Sequence, residues 1–162
     1  MSKIANYWLI QQSVYENIKF ADAKSASLVA LNLAIITGLY SLKVFDKCNI
    51  YLFVVSCAAF CFLAFSIICS VIVLFPRGER TYSPKKTSLC DLYKIAAFKS
   101  YYEYKKNVTD SSNNELLEDI ALFIYDRSRT NKIKYLWLKI EIILGAIGWC
   151  LSFIISSIII LV

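Results

Sequence analysis

The stretch CNIYLFVVSCAAFCFLAFSIICSVIVLFP, residues 48–76, runs for 29 residues without one Asp, Glu, Lys or Arg. A hydrocarbon core of about 30 Å takes about 20 apolar residues in helical form, so this segment alone can cross a bilayer. Two runs of the same kind flank it. Residues 25–42 hold 18 uncharged positions, and residues 142–162, beginning one place after Glu141, hold 21. Inside lipid every backbone N–H and C=O must be paired within the protein, which admits helices and closed barrels only. The runs are continuous rather than alternating, which argues against barrel strands. Four Gly and two Pro leave few places to break a helix. The sequence therefore predicts an all-α integral membrane protein: three transmembrane helices with long cytoplasmic helical extensions forming a small bundle.

The expected order is an N-terminal helix over 1–25, a first span over 26–42, a short outer loop over 43–49 and a second span over 50–76. Cytoplasmic loop and helices then occupy 77–139, and a third span 140–162. Lys3, Lys19 and Lys24 precede the first span, and residues 77–141 carry thirteen Lys/Arg against nine Asp/Glu. Basic residues flanking spans mark the cytoplasmic side. The expectation is a multi-pass protein of the bacterial inner membrane with its N-terminus and long connection in the cytoplasm. No apolar stretch precedes residue 25, so no cleavable signal peptide is expected.

Local signals refine this outline. Residues 4–24 run without Gly or Pro into the first span. Pro76-Arg77-Gly78 closes the second, because Pro cannot continue a helix. Residues 77–88 read as a loop, 89–106 as a helix and 107–112 as a polar break. Ser112-Asn113-Asn114-Glu115 fits a capping box, in which Ser and Glu satisfy each other's end of a helix. Leu116, Leu117, Ile120, Phe123 and Ile124 then recur at helical spacing. One helix from about 113 to 162 would measure ~75 Å at 1.5 Å per residue.

Composition narrows the chemistry. His is absent, which removes the commonest general base and metal ligand. The six cysteines form no CxxC pair, so they read as small hydrophobes. No nucleophile–base pair, phosphate loop or metal cluster is present, and the expectation is a protein that is not an enzyme and holds no metal. The formal charge of +6 is spread among acidic residues, which points to topology and away from a nucleic acid polymer as partner.

Within the spans, Ala26, Ala30, Ala34 and Gly38 repeat every four residues, and Gly148, Ser152 and Ser156 do the same. Small residues at this spacing let helices approach closely. One stripe is expected to pack spans within the protomer and the other to join protomers in a homo-oligomer. Asn32 is the one carboxamide in a span and is expected to face protein or water. Tyr40, Tyr51, Tyr135 and Trp137 stand near the predicted interfaces, where aromatic rings anchor.

The segment Phe20-Ala21-Asp22-Ala23-Lys24-Ser25-Ala26, leading straight into Asn32, resembles the Asp-x-Lys signature that opens the Pycsar-type transmembrane effector family. Glu118-Asp119-Ile120, Tyr125-Asp126-Arg127-Ser128 and Lys134-Tyr135 are similar to that family's approach to its last span. Leu92-Tyr93-Lys94-Ile95-Ala96, with Tyr102 and Tyr104, resembles its middle helix, though Lys94 stands where His is usual. The resemblance implies an anti-phage effector that binds a cyclic nucleotide, cyclic CMP or cyclic UMP, made by a partner cyclase. It further implies disruption of the inner membrane and arrest of growth. Asp22, Lys24, Arg127, Ser128, Lys134 and Tyr135 are the candidate ligand or switch residues, with an Asp22–Lys134 ion pair as the structural alternative. A non-catalytic membrane scaffold and a constitutive holin-like pore are the competing readings.

Overall fold

The computed structural model describes residues 3–42, 50–75, 89, 95–96 and 98–161. Among these residues there are four helices and no strand: α1 (Lys3–Ser41), α2 (Ile50–Leu74), α3 (Tyr101–Asp110) and α4 (Asn113–Leu161). Helices α1, α2 and α4 are long and apolar enough to cross a membrane. The architecture is all-α with three candidate spans, as the uncharged runs require. The expected outer loop 43–49, the stretch 76–88 with its Pro-Arg-Gly stop, and 90–94 lie outside the described residues.

Helices α1 and α4 have 39 and 49 residues, far more than the ~20 a hydrocarbon core needs. No proline falls inside either, and each run of good helix formers simply continues into its apolar segment. The start of α4 is the predicted capping box. The Glu115 amide donates to Ser112 Oγ at 3.2 Å, and the Ser112 amide donates to the Glu115 carboxylate at 3.0 Å.

Two boundaries differ from the sequence reading. Of the helix expected over 89–106, residues 90–94 and 97 lie outside the described residues and Ile95 is helical, while α3 starts separately at Tyr101, because Ser100 caps it: its backbone is extended and its hydroxyl accepts from the Glu103 amide. Glu103 in turn accepts from the Lys99 amide at 3.0 Å. The pattern Ser-x-x-Glu occurs here as well as at 112–115, and it marks a helix start in both places. The polar break expected over 107–112 shrinks to Ser111 and Ser112. Asn107 and Thr109 stay helical by donating back to the carbonyls of Glu103 and Lys105.

The chain divides into two compact units. The first comprises Met1–Ile18 and Arg77–Lys132. In it, Leu89 is held at both backbone groups. Its amide donates to the Asp119 carboxylate of α4 at 2.6 Å, and its carbonyl accepts from the Tyr104 hydroxyl of α3 at 3.3 Å. Phe98 meets Tyr104 edge-on at 5.4 Å, and Ile120 is buried.

The second unit comprises Lys19–Pro76 and Ile133–Val162, and so contains the apolar part of each long helix. Two clusters of buried side chains hold it. Ala21, Val73 and Leu138 form one, with Leu28 and Trp137 against it. Leu39, Ala59 and Ile155 form the other, joined by Ile35, Val55, Phe60, Leu151 and Ile159. Trp137, expected as an interface anchor, packs on the first cluster, whereas Tyr40 and Tyr51 are exposed.

Candidate functional site

Glu141 organises the second unit. It is fully buried, and its carboxylate accepts from the Ser25 hydroxyl of α1 at 2.9 Å and from the Ser70 hydroxyl of α2 at 2.5 Å. Its backbone carbonyl accepts from Ser66 Oγ at 3.0 Å. Among the described residues no ion pair neutralises it, so the hydroxyls carry the task of solvating the acid. A carboxylate taken out of water is costly unless hydrogen bonds replace the lost hydration.

The network continues one turn further along α2. Asn32 Nδ2 donates to Ser66 Oγ at 2.9 Å, and Asn32 Oδ1 accepts from Trp149 Nε1 at 2.8 Å. Ser25, Asn32, Ser66, Ser70 and Glu141 are each at most 1% exposed. A single connected set of polar groups thus joins α1, α2 and α4 through the interior, as intramembrane polar residues are expected to do.

The backbone geometry that permits this comes from glycine. A Cβ on Gly145 would stand 3.2 Å from Ser66 Oγ and 3.3 Å from the Trp149 ring. A Cβ on Gly148 would stand 2.8 Å from a Leu63 methyl. Helices α2 and α4 therefore approach closely along this stretch, which brings Ser66 to the Glu141 carbonyl. Of the Gly148 stripe, Gly148 and Ser152 are buried and Ser156 is half-buried, so this stripe packs within the protomer. Ala26, Ala30, Ala34 and Gly38 are all exposed, and nothing lies within 4 Å of a Cβ placed on Gly38.

Asp22 and Lys134 meet as an ion pair at 2.5 Å. Lys134 is nearly buried while the Asp22 side chain is 35% exposed. Helix α4 supplies the cation and α1 the acid, just before the level at which Ser25 and Glu141 meet. Lys24 takes no part in the pair; it is exposed, with its ammonium 4.2 Å from the centre of its own helix's Phe20 ring. Tyr135 is partly exposed beside Lys134 on α4. Arg127 and Ser128 belong to the other unit, where the Arg127 guanidinium lies over the Phe123 ring and Ser128 is exposed.

Asn32 was legible in the sequence as a group needing a partner. Glu141, Ser25, Ser66, Ser70 and Trp149 were not singled out. The available signal was an acid abutting the third apolar run on an unbroken helix, together with two serines one turn apart in the second span. Comparison with known families gives a match to the Pycsar effector protein domain over residues 6–161, nearly the whole chain. No curated protein and no solved structure matches it.

Proposed function

The chain belongs to the Pycsar effector family and is thereby an anti-phage effector, and on that premise we propose that a cyclic nucleotide triggers it to breach the inner membrane and arrest growth. The nucleotide is cyclic CMP or cyclic UMP, made by a partner cyclase on infection. The N-terminus and residues 77–139 lie in the cytoplasm, where the ligand is made. The protein acts without catalysis of its own.

One observation carries this reading. Helices α1 and α4 each supply residues to both compact units as single unbroken helices. A ligand that binds two arrangements of the first unit with different affinity can bias the spans through those shared helices, and it shifts the equilibrium only by that difference. The Asp22–Lys134 pair is the proposed latch. A nucleotide phosphate competes with Asp22 for the Lys134 cation, and cation–phosphate hydrogen bonds are strong ones. Tyr135 and Lys24 lie beside it in sequence, and Arg127 and Ser128 are the candidates in the other unit. The exposed stripe Ala26, Ala30, Ala34 and Gly38 is the proposed seam for a second copy, because small residues allow close helix contact and, among the described residues, nothing lies within 4 Å of a Cβ placed on Gly38.

The experiment is membrane potential in bacteria expressing the chain with and without a pyrimidine cyclase, read by a voltage-sensitive dye. Depolarisation only with the cyclase is expected; Asp22→Ala, which frees Lys134 for phosphate, should lower the nucleotide level needed, and Lys134→Ala, which removes the phosphate's cation, should abolish the response to the cyclase. Depolarisation without the cyclase would make the protein a constitutive pore. None in either case, with cyclic CMP and cyclic UMP both shown to accumulate, would leave the scaffold reading and end this one.

A further inference from the structure

The second unit is arranged inside out relative to a water-soluble bundle. Asn32, Glu141, Ser25, Ser56, Ser66, Ser70 and Ser152 are buried in it, while Leu33, Val54, Phe65, Ile68, Ile143 and Phe153 are exposed on the outer faces. The network around Glu141 presents both Glu141 carboxylate oxygens, the hydroxyls of Ser25, Ser66 and Ser70, the Asn32 carbonyl and the main-chain carbonyls of Ser70 and Glu141, with the Asn32 amide and the Trp149 N–H as its nitrogen donors. Within this network the one ionisable group is Glu141; the buried Lys134, two turns away on α4, is paired with Asp22.

This seam is closed at both ends by apolar side chains. Ala21, Val73 and Leu138 lie one turn beyond Ser25, Ser70 and Glu141 on their helices. Leu39, Ala59 and Ile155 lie about two turns beyond Asn32, Ser66 and Trp149. Leu138 and Ile155 are both on α4, about 26 Å apart at 1.5 Å per residue, which is most of a ~30 Å hydrocarbon core. Carboxylate and carbonyl oxygens replace the hydration of cations, and apolar constrictions hold such a path shut by excluding water.

We propose that the seam is a closed cation path. When the spans separate, the two apolar caps part, the oxygen lining takes up water, and potassium or sodium ions cross while anions are repelled by Glu141. The proposal rests on the reading that this effector breaches the membrane, and it specifies what crosses. It also distinguishes the seam from mere packing: packing alone predicts no ion selectivity that follows the charge on residue 141.

The test uses the purified full chain in phosphatidylethanolamine–phosphatidylglycerol liposomes, with potassium efflux, chloride efflux and calcein release measured separately. Leu39→Ser with Ile155→Ser weakens the far cap without any nucleotide, and Ala59→Ser is a milder opening should the double variant lose its helical circular dichroism. The opened variants should pass potassium about tenfold faster than chloride, the scale on which a single-sign channel concentrates counter-ions, and retain calcein. Adding Glu141→Gln, which keeps the shape and one of the two acceptor oxygens, should bring the ratio near one with total flux preserved. Folded opened variants that stay tight, leak both ions equally, or keep their selectivity with Gln at 141 would overturn the path. Native protein that stays tight with cyclic CMP and cyclic UMP, while the opened variants conduct selectively, would refute the trigger and uphold the path. Calcein release from native protein under nucleotide would do the reverse.

Discussion

Replacing Asn32 by Leu tests the interior network most directly, because it removes two hydrogen bonds and leaves no cavity. Its amide links Ser66 at 2.9 Å and Trp149 at 2.8 Å. The two partners suffer unequally. Ser66 still donates to the Glu141 carbonyl and loses only an accepted bond. Trp149 has a single donor, and its indole N–H is left without a partner in a half-buried position. An orphaned buried donor costs about 1–3 kcal/mol, while interhelical hydrogen bonds measured inside membranes average about 0.6 and reach about 1.7 kcal/mol. Asn32→Leu should therefore destabilise the chain by about 2 kcal/mol. Trp149→Phe removes the orphan itself. The cost of the double variant should fall short of the sum of the single costs by about 1 kcal/mol, the coupling that a double-mutant cycle isolates. Reversible unfolding in mixed detergent micelles, followed by far-ultraviolet circular dichroism, measures all four corners. Strict additivity, or an Asn32→Leu cost below about 0.5 kcal/mol, would refute the network as a source of stability.

Three further outcomes follow from the same geometry. Gly148→Ala forces a methyl to within 2.8 Å of the buried Leu63 side chain and should cost about 1–3 kcal/mol by overpacking, whereas Gly38→Ala, with open space around it, should leave protomer stability in micelles unchanged; both are read by the same unfolding assay. Asp22→Ala strands the nearly buried Lys134 and should cost about 1–2 kcal/mol, discounted from a fully buried pair because Asp22 is partly exposed, with Asp22→Lys combined with Lys134→Asp recovering much of it; no recovery would show that side-chain shape rather than charge holds the two helices. Ser112→Ala removes half of the capping box and should destabilise the start of α4 by about 1 kcal/mol, seen as faster amide hydrogen exchange over residues 113–118 with no change in the apolar part of the helix.

What the sequence determined by itself is whatever depends on neighbours along the chain. Three uncharged runs dictate three apolar helices, since lipid leaves the backbone no other partner. The absence of Pro from α1 and α4, and of Gly ahead of their apolar runs, carries both helices past the span length, and Ser112 with Glu115 starts α4 where the capping pattern places it. Ser100 and Glu103 carry the same pattern, so the start of α3 at Tyr101 was also legible. Tertiary structure alone decided which small-residue stripe is covered, because Ala34 and Gly148 look alike until Leu63 is seen to occupy the space beside one of them. It also decided the role of Glu141. By sequence this acid stands one residue outside an apolar run, as any boundary residue does. Its partners Ser70 and Ser25 lie 71 and 116 positions away, and whether a carboxylate meets water, lipid or two hydroxyls is settled by how three helices pack, which no local pattern records.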